Sequence, residues 1–191
     1  MLLKKLFISK VRIRILEKYL LNPSISFHVR GLVRELNEEI NAVRRELINL
    51  EAIGLLKSKR DKNKLVYKLN RECTSIPELQ TLFLKNSKLG QKILERVQNI
   101  EGLESLIVTE SFLTETYLSE NDIDMLFLGN PKIKDIKNVI TELERDLERE
   151  LKASAMKRED FDFAKKKKDP IVMNLLKQNI VLIYGNPNTL L

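Results

Sequence analysis

Two groups of residues in this chain have types and spacing that could do chemistry. The first is Asp122-Ile123-Asp124. Two aspartates one residue apart on a strand point to the same face, where their carboxylates can jointly hold a hard cation such as Mg2+ on a nucleoside triphosphate. As a bare motif this pattern is common on protein surfaces. The second group is Ile40 to Gly54, INAVRRELINLEAIG. Ile40, Val43, Leu47 and Leu50 recur at i, i+3, i+7 and i+10 as one apolar helical stripe, and Gly54 stands where a left-handed C-terminal cap is expected. On a helical wheel Asn41, Arg45, Ile48, Asn49 and Ala52 fall on the opposite face, with Glu51 near its edge. Donors and small side chains on one face suit a helix lying in a DNA major groove. Taken alone, the same pattern also describes an amphipathic helix with a solvated polar face.

The segments around this helix decide between the two readings. Ile8, Val11, Ile15 and Tyr19 predict a first helix from about Ser9 to Leu21, ended by Asn22-Pro23, with Lys10, Arg12, Arg14 and Lys18 on its outer faces. Ser24 to Phe27 reads as extended. Val29, Leu32, Val33 and Leu36 predict a second helix of about two turns. Asn37-Glu38-Glu39 then leaves a turn of helix-turn-helix length. Glu39 is a poor N-cap beside Ser or Thr. After Gly54 the period falls to 2, so Leu55 to Lys59 and Leu65 to Leu69 read as strands around a turn of Arg60-Asp61-Lys62-Asn63-Lys64. Lys59, Arg60, Lys62 and Lys64 collect at that tip, placed to touch phosphates beside a groove.

The chain has 191 residues, 43% of them apolar, and carries a net charge of +7. That is enough for one large or two small folded domains. The charge is unevenly divided: residues 1–88 hold 19 Lys/Arg against 9 Asp/Glu, and residues 89–191 hold 15 against 18. Only the first half is therefore expected to meet a polyanion. No apolar run approaches the length of a membrane span, and charge interrupts the N-terminus MLLKKLFISKVRIR, so a cytoplasmic protein without a signal peptide is expected. A single cysteine, Cys73, and a single histidine, His28, exclude an intrachain disulfide and a Cys/His zinc site, which leaves both with structural roles.

Residues 9–70, above all FHVRGLVRELNEEINAVRRELINLEAIGLLKSKRDKNKLVYKLN, resemble the winged helix-turn-helix of bacterial and archaeal transcriptional regulators of the arsenic-repressor-like group. The resemblance implies that Asn41, Ala42, Arg44 and Arg45 lie at the groove, with Asn41 and Arg45 touching bases or phosphates. The wheel puts Arg44 at the flank, a phosphate position, and Asn49 on the same face as Arg45. The metal-sensing cysteines of some such repressors are missing, which argues against metal as the input.

In the second half, Leu79, Leu82 and Phe83 mark a connecting helix within Glu72 to Ser87, and Ile93, Val97 and Ile100 mark another ending near Gly102. Strands are expected at Leu103 to Thr109, Ile123 to Leu128, Leu151 to Met156 and Ile180 to Tyr184, with a helix over Ile136 to Leu147. Lys165 to Lys168 reads as a solvated turn. The stretch ESFLTETYLSENDIDMLFLG is similar to the signature of minimal nucleotidyltransferases, in which a strand ends in Gly-Ser and an acidic pair follows. Ser111 precedes Asp122 by eleven residues, as that pattern requires. Three departures weaken catalysis. Glu110 replaces the signature glycine, adding bulk and negative charge where polyphosphate would lie. Leu113, Thr114 and Glu115 replace its small or basic residues. Lys152 occupies the place of the third carboxylate, so no base remains to activate a hydroxyl.

The expected architecture is α+β: a winged helix-turn-helix domain over 1–71, connecting helices over 72–102, and a small nucleotidyltransferase-like α/β domain over 103–191. The expected function is sequence-specific binding of double-stranded DNA by a transcriptional regulator, as a homodimer. Its second domain would serve assembly or the sensing of a nucleotide or protein effector. Ser111, Asp122 and Asp124 are its vestigial catalytic candidates, and the two aspartates a candidate seat for Mg2+ with a nucleotide. One rival is an active nucleotidyltransferase modifying a protein or RNA partner. Another is a winged helix that binds protein or RNA.

Overall fold

The structure, a computed structural model, describes residues 2–186. Residue 1 and residues 187–191, the outer ends of the two expected domains, lie outside the described residues. The chain is mixed α and β and divides into two compact units, Met1–Ser87 and Lys88–Leu191. The expected connecting stretch is shared between them: its first helix joins the core of the first unit, and its second belongs to the second unit.

In the first unit the order is α1 (Leu2–Leu6), α2 (Lys10–Leu20), β1 (Ser26–His28), α3 (Val29–Leu36), α4 (Ile40–Ala52), β2 (Leu56–Asp61), β3 (Lys64–Leu69) and α5 (Ile76–Asn86). Ser9 caps α2 by accepting from the Arg12 amide. The predicted stripes meet in one core, where Ile15 and Tyr19 of α2, Leu32 of α3, and Val43, Leu47 and Leu50 of α4 are buried together with Leu56, Tyr67, Leu69 and Phe83. Asn37, with φ of 49°, closes α3 in the left-handed region that asparagine tolerates, so that Asn37-Glu38-Glu39 form the expected turn into α4.

Two local features differ from expectation. Glu39 does cap α4: its two carboxylate oxygens accept from the Asn41 and Ala42 amides at 2.9 and 2.7 Å. Its longer side chain reaches back over the first turn as a serine would from closer in. The β2–β3 turn is shorter than the five residues expected. Asp61 pairs with Lys64, leaving only Lys62 and Asn63 between the strands, with Lys62 at φ of 53°. The cations of α2 lie on its outer side as expected, and three of them are paired: Arg12 with Glu46, Arg14 with Glu38, and Lys18 with Glu35. Glycine is required at position 54, whose φ of 77° lets the chain leave α4 and enter β2.

The second unit runs α6 (Lys88–Val97), β4 (Leu103–Val108), α7 (Glu110–Thr114), β5 (Met125–Gly129), α8 (Ile133–Leu147), β6 (Ala153–Met156), α9 (Arg158–Lys167), α10 (Pro170–Lys177) and β7 (Val181–Tyr184). Its sheet has the order β6-β5-β4-β7, antiparallel except for β5 beside β6, the pair that α8 connects. Ile107, Leu126, Leu128 and Leu182 pack with Phe161, Val172 and Leu175 of α9 and α10. Leu106, Val108, Met125 and Phe127 alternate with them and are equally buried, so both sheet faces are covered. Ion pairs of Lys92 and Arg96 with Glu142 and Asp146 tie α6 to α8.

The elements α7, α9 and α10 were not expected. Lys165 to Lys167 form the last turn of α9 and Lys168 its left-handed cap, so the lysine run is a helix end. There its positive charge complements the helix dipole. The second expected strand begins only at Met125, which leaves Asp122 and Asp124 in the loop before it.

Candidate nucleic-acid interface

The face of α4 turned away from its core carries Asn41, Arg44, Arg45, Ile48, Asn49 and Ala52, all exposed, with Ala42 half-buried. The wheel placed Asn41, Arg45, Ile48, Asn49 and Ala52 on this face and Arg44 at its flank. The Asn41 and Ala42 amides are taken by Glu39. Contacts from these two positions are therefore left to their side chains. The same two amide hydrogen bonds, ahead of the charges of Arg45 and Arg44, hold the Glu39 carboxyl below its ordinary range.

Glu46 is the one charged residue on the core side of α4. It sits on the inner side of the helix at 3% exposure, and its Oε2 accepts from Arg12 Nε at 2.8 Å. Burial alone would raise its pKa, but hydrogen bonds from Ser9 and Arg12, the Arg12 charge and a hydrogen bond from Asn49 outweigh it, so the carboxyl lies below its ordinary range. At the other end of α4, Glu51 accepts from the Ser58 amide and hydroxyl, which fixes the hairpin against the helix.

The hairpin register distributes the tip residues. Leu56, Ser58 and Arg60 stand opposite Leu69, Tyr67 and Leu65. Leu56, Tyr67 and Leu69 are buried against the helices, so Arg60 and Leu65 continue the helix-facing side outward, while Lys59 is on the reverse. Lys62 occupies the turn itself, and Lys64 begins the returning strand.

Two further cations were missed from sequence. Arg30 and Arg34, one helical turn apart on α3, line an open groove of about 860 Å³ with Arg44 of α4 and Lys64 of the hairpin. Val33 and Ile40 form part of its floor. The signal was present, since the stripe of Val29, Leu32, Val33 and Leu36 leaves positions 30 and 34 on a common outer flank. Among the described residues, Arg30, Arg34, Arg44, Arg45, Lys59, Arg60, Lys62 and Lys64 form no ion pair within 4 Å, whereas Arg12, Arg14 and Lys18 of α2 all do.

The acidic pair of the second unit is arranged differently from an open metal seat. Asp122 is 5% exposed and Asp124 fully buried. Asp122 Oδ2 accepts from the Leu118 and Ser119 amides at 2.6 and 2.9 Å, and its Oδ1 accepts from Gln178 Nε2 at 3.0 Å. Asp124 Oδ2 accepts from the Tyr117 hydroxyl and the Lys152 amide, with Arg149 Nη1 3.5 Å from Oδ1. Asp122 thus holds Leu118 and Ser119 of the loop before β5, while Asp124 joins Tyr117 of that loop to Arg149 and Lys152. Ser111 is buried and donates to Gln178 Oε1 at 3.2 Å. Lys152, in the place of the expected third carboxylate, sets its ammonium 4.1 Å from the centre of the Tyr117 ring. Burial first, then the hydrogen bond to Asp124, pushes the Tyr117 hydroxyl up to about 12. Among the described residues no group of three or more His, Cys, Asp or Glu side chains could share a metal ion.

No described helix is long and apolar enough to cross a membrane. No protein-family model, curated protein or solved structure matches this chain.

Proposed function

We propose that this chain is a DNA-binding transcriptional regulator. In this reading the first unit is a winged helix-turn-helix whose α4 enters the major groove while the β2–β3 hairpin follows the adjoining backbone. The supporting observation is the partition of cations. Arg12, Arg14 and Lys18 of α2 are paired with internal carboxylates, whereas Arg30, Arg34, Arg44, Arg45 and the hairpin cations have no internal acid within ion-pair distance. Basic side chains held together without internal partners repel one another, and a polyanion relieves that repulsion. Arg45 and Asn41 are the base-reading candidates. Arg30, Arg34, Arg44, Lys62 and Lys64 are the phosphate-binding ones.

The second unit, in the same proposal, is a noncatalytic nucleotidyltransferase-like domain used for assembly or effector sensing. Saturation of Asp122 and Asp124 by internal donors supports this over the enzymatic alternative. A metal would have to displace those donors before coordinating either carboxylate. The regulator acts as a homodimer, because one helix reads only a short half-site. Dimerisation would have to use surface other than the apolar stripes of α5 and α6. Leu79 and Leu82 pack on the first core, and Ile93 and Val97 are fully buried. Enrichment of fragments from a random double-stranded pool by the full chain tests DNA binding. Retention of no DNA at low salt would refute it, and preferential retention of RNA would favour the RNA-binding alternative. A concentration-independent monomer in sedimentation would refute the dimer.

A further inference from the structure

The outward face of α4 is polar or small except at its centre. Ile48 is 52% exposed there, with Arg44 and Arg45 one turn before it and Ala52 one turn after, all exposed. The core stripe is complete without it, and a β-branched residue in mid-helix adds nothing to helix propensity. Its surroundings narrow what can cover it. Two copies of this face brought together would oppose their own arginines, and like charges placed across an interface are costly. The flanking cations instead favour a polyanion that carries an apolar group at the depth a helix reaches. In the major groove that group is the C5-methyl of thymine, the apolar feature among otherwise polar base edges.

Building on the DNA-binding reading above, we infer that Ile48 is a specificity-determining residue that selects thymine by packing on its methyl group. Small Ala52 lets the helix approach closely enough for that contact. Arg45, one turn earlier, reads a neighbouring base by hydrogen bonding.

The test uses the full chain and its selected DNA site, with each thymine replaced singly by deoxyuridine, which pairs identically but lacks the methyl. At one or more positions, deoxyuridine should weaken wild-type binding about fourfold, the equivalent of one apolar carbon returned to water. Ile48→Ala should bind the thymine and deoxyuridine versions of those positions equally. Wild-type indifference to deoxyuridine at every position, or full discrimination retained by Ile48→Ala, would overturn the inference and leave DNA binding standing. Loss of affinity by Ile48→Ala for all sequences alike, or its conversion to a smaller oligomer, would reassign the residue to protein packing. Failure of the wild type to bind any DNA would overturn the underlying reading instead.

Discussion

Glu46 Oε2 lies 2.8 Å from Arg12 Nε, joining the middle of α4 to the start of α2 through a carboxylate that solvent barely reaches. The pair ties α4 to α2 on the side where Val43, Leu47 and Leu50 are buried. Glu46→Ala would leave the arginine without its acid and should cost about 1–3 kcal/mol in urea unfolding. Replacing both, as Arg12→Met with Glu46→Leu, should recover much of that loss. Because the folded carboxyl lies below its ordinary range, the contribution is complete above the unfolded value. It is lost as pH falls through the folded value. The stability gap between wild type and the double variant should therefore narrow in acid, and a gap constant to the lowest pH at which the protein folds would contradict this assignment.

Glu39 joins a structural role to an electrostatic one. Its carboxylate caps α4, yet it also places negative charge beside the helix end proposed to approach phosphate. Glu39→Gln should lower the melting temperature, since a neutral amide caps more weakly, and raise DNA affinity at low salt. Reduced affinity together with reduced stability would mean that the cap matters to binding only through the fold.

In the second unit, Asp124→Asn should destabilise the protein because Tyr117, Lys152 and Arg149 all converge on that carboxylate. Mg2+ with any nucleoside triphosphate should leave the wild-type melting temperature unchanged, and labelled triphosphate should transfer to nothing. Labelling that Asp124→Asn abolishes would promote the enzymatic alternative.

The Tyr117 hydroxyl, pushed up to about 12, binds its proton more tightly in the folded state than in the unfolded chain. Its contribution is complete below the ordinary tyrosine value near 10 and is lost as pH rises through about 12. Tyr117→Phe should consequently flatten the alkaline fall in stability across that window, read by unfolding at a series of pH values. An unchanged slope would show that the hydroxyl is not held as described.

What could be read from sequence was what repeats locally. The stripes Val29/Leu32/Val33/Leu36 and Ile40/Val43/Leu47/Leu50 correctly located α3, α4 and the outward face. Features settled by distant partners stayed hidden. Glu46 finds Arg12 across 34 positions, and Asp122 finds Gln178 across 56, so neither burial has a local signature. Helix α9 buries only Phe161 of its REDFDFAKKK, too little for a stripe, and its terminal lysines therefore read as a turn. The hairpin turn was overestimated because Arg60, Asp61 and Lys64 resemble turn residues in composition while lying in register on the strands.

The most direct test of the central claim compares Arg45→Ala and Lys62→Ala for binding to the selected site and to a scrambled duplex over a range of salt concentrations. With α4 in the groove and the hairpin on the backbone, Arg45→Ala should lose more affinity for the selected site than for the scrambled one. Lys62→Ala should weaken both duplexes alike and reduce the salt slope by about one. Equal loss of sequence preference in the two variants, or no loss of affinity in either, would contradict it.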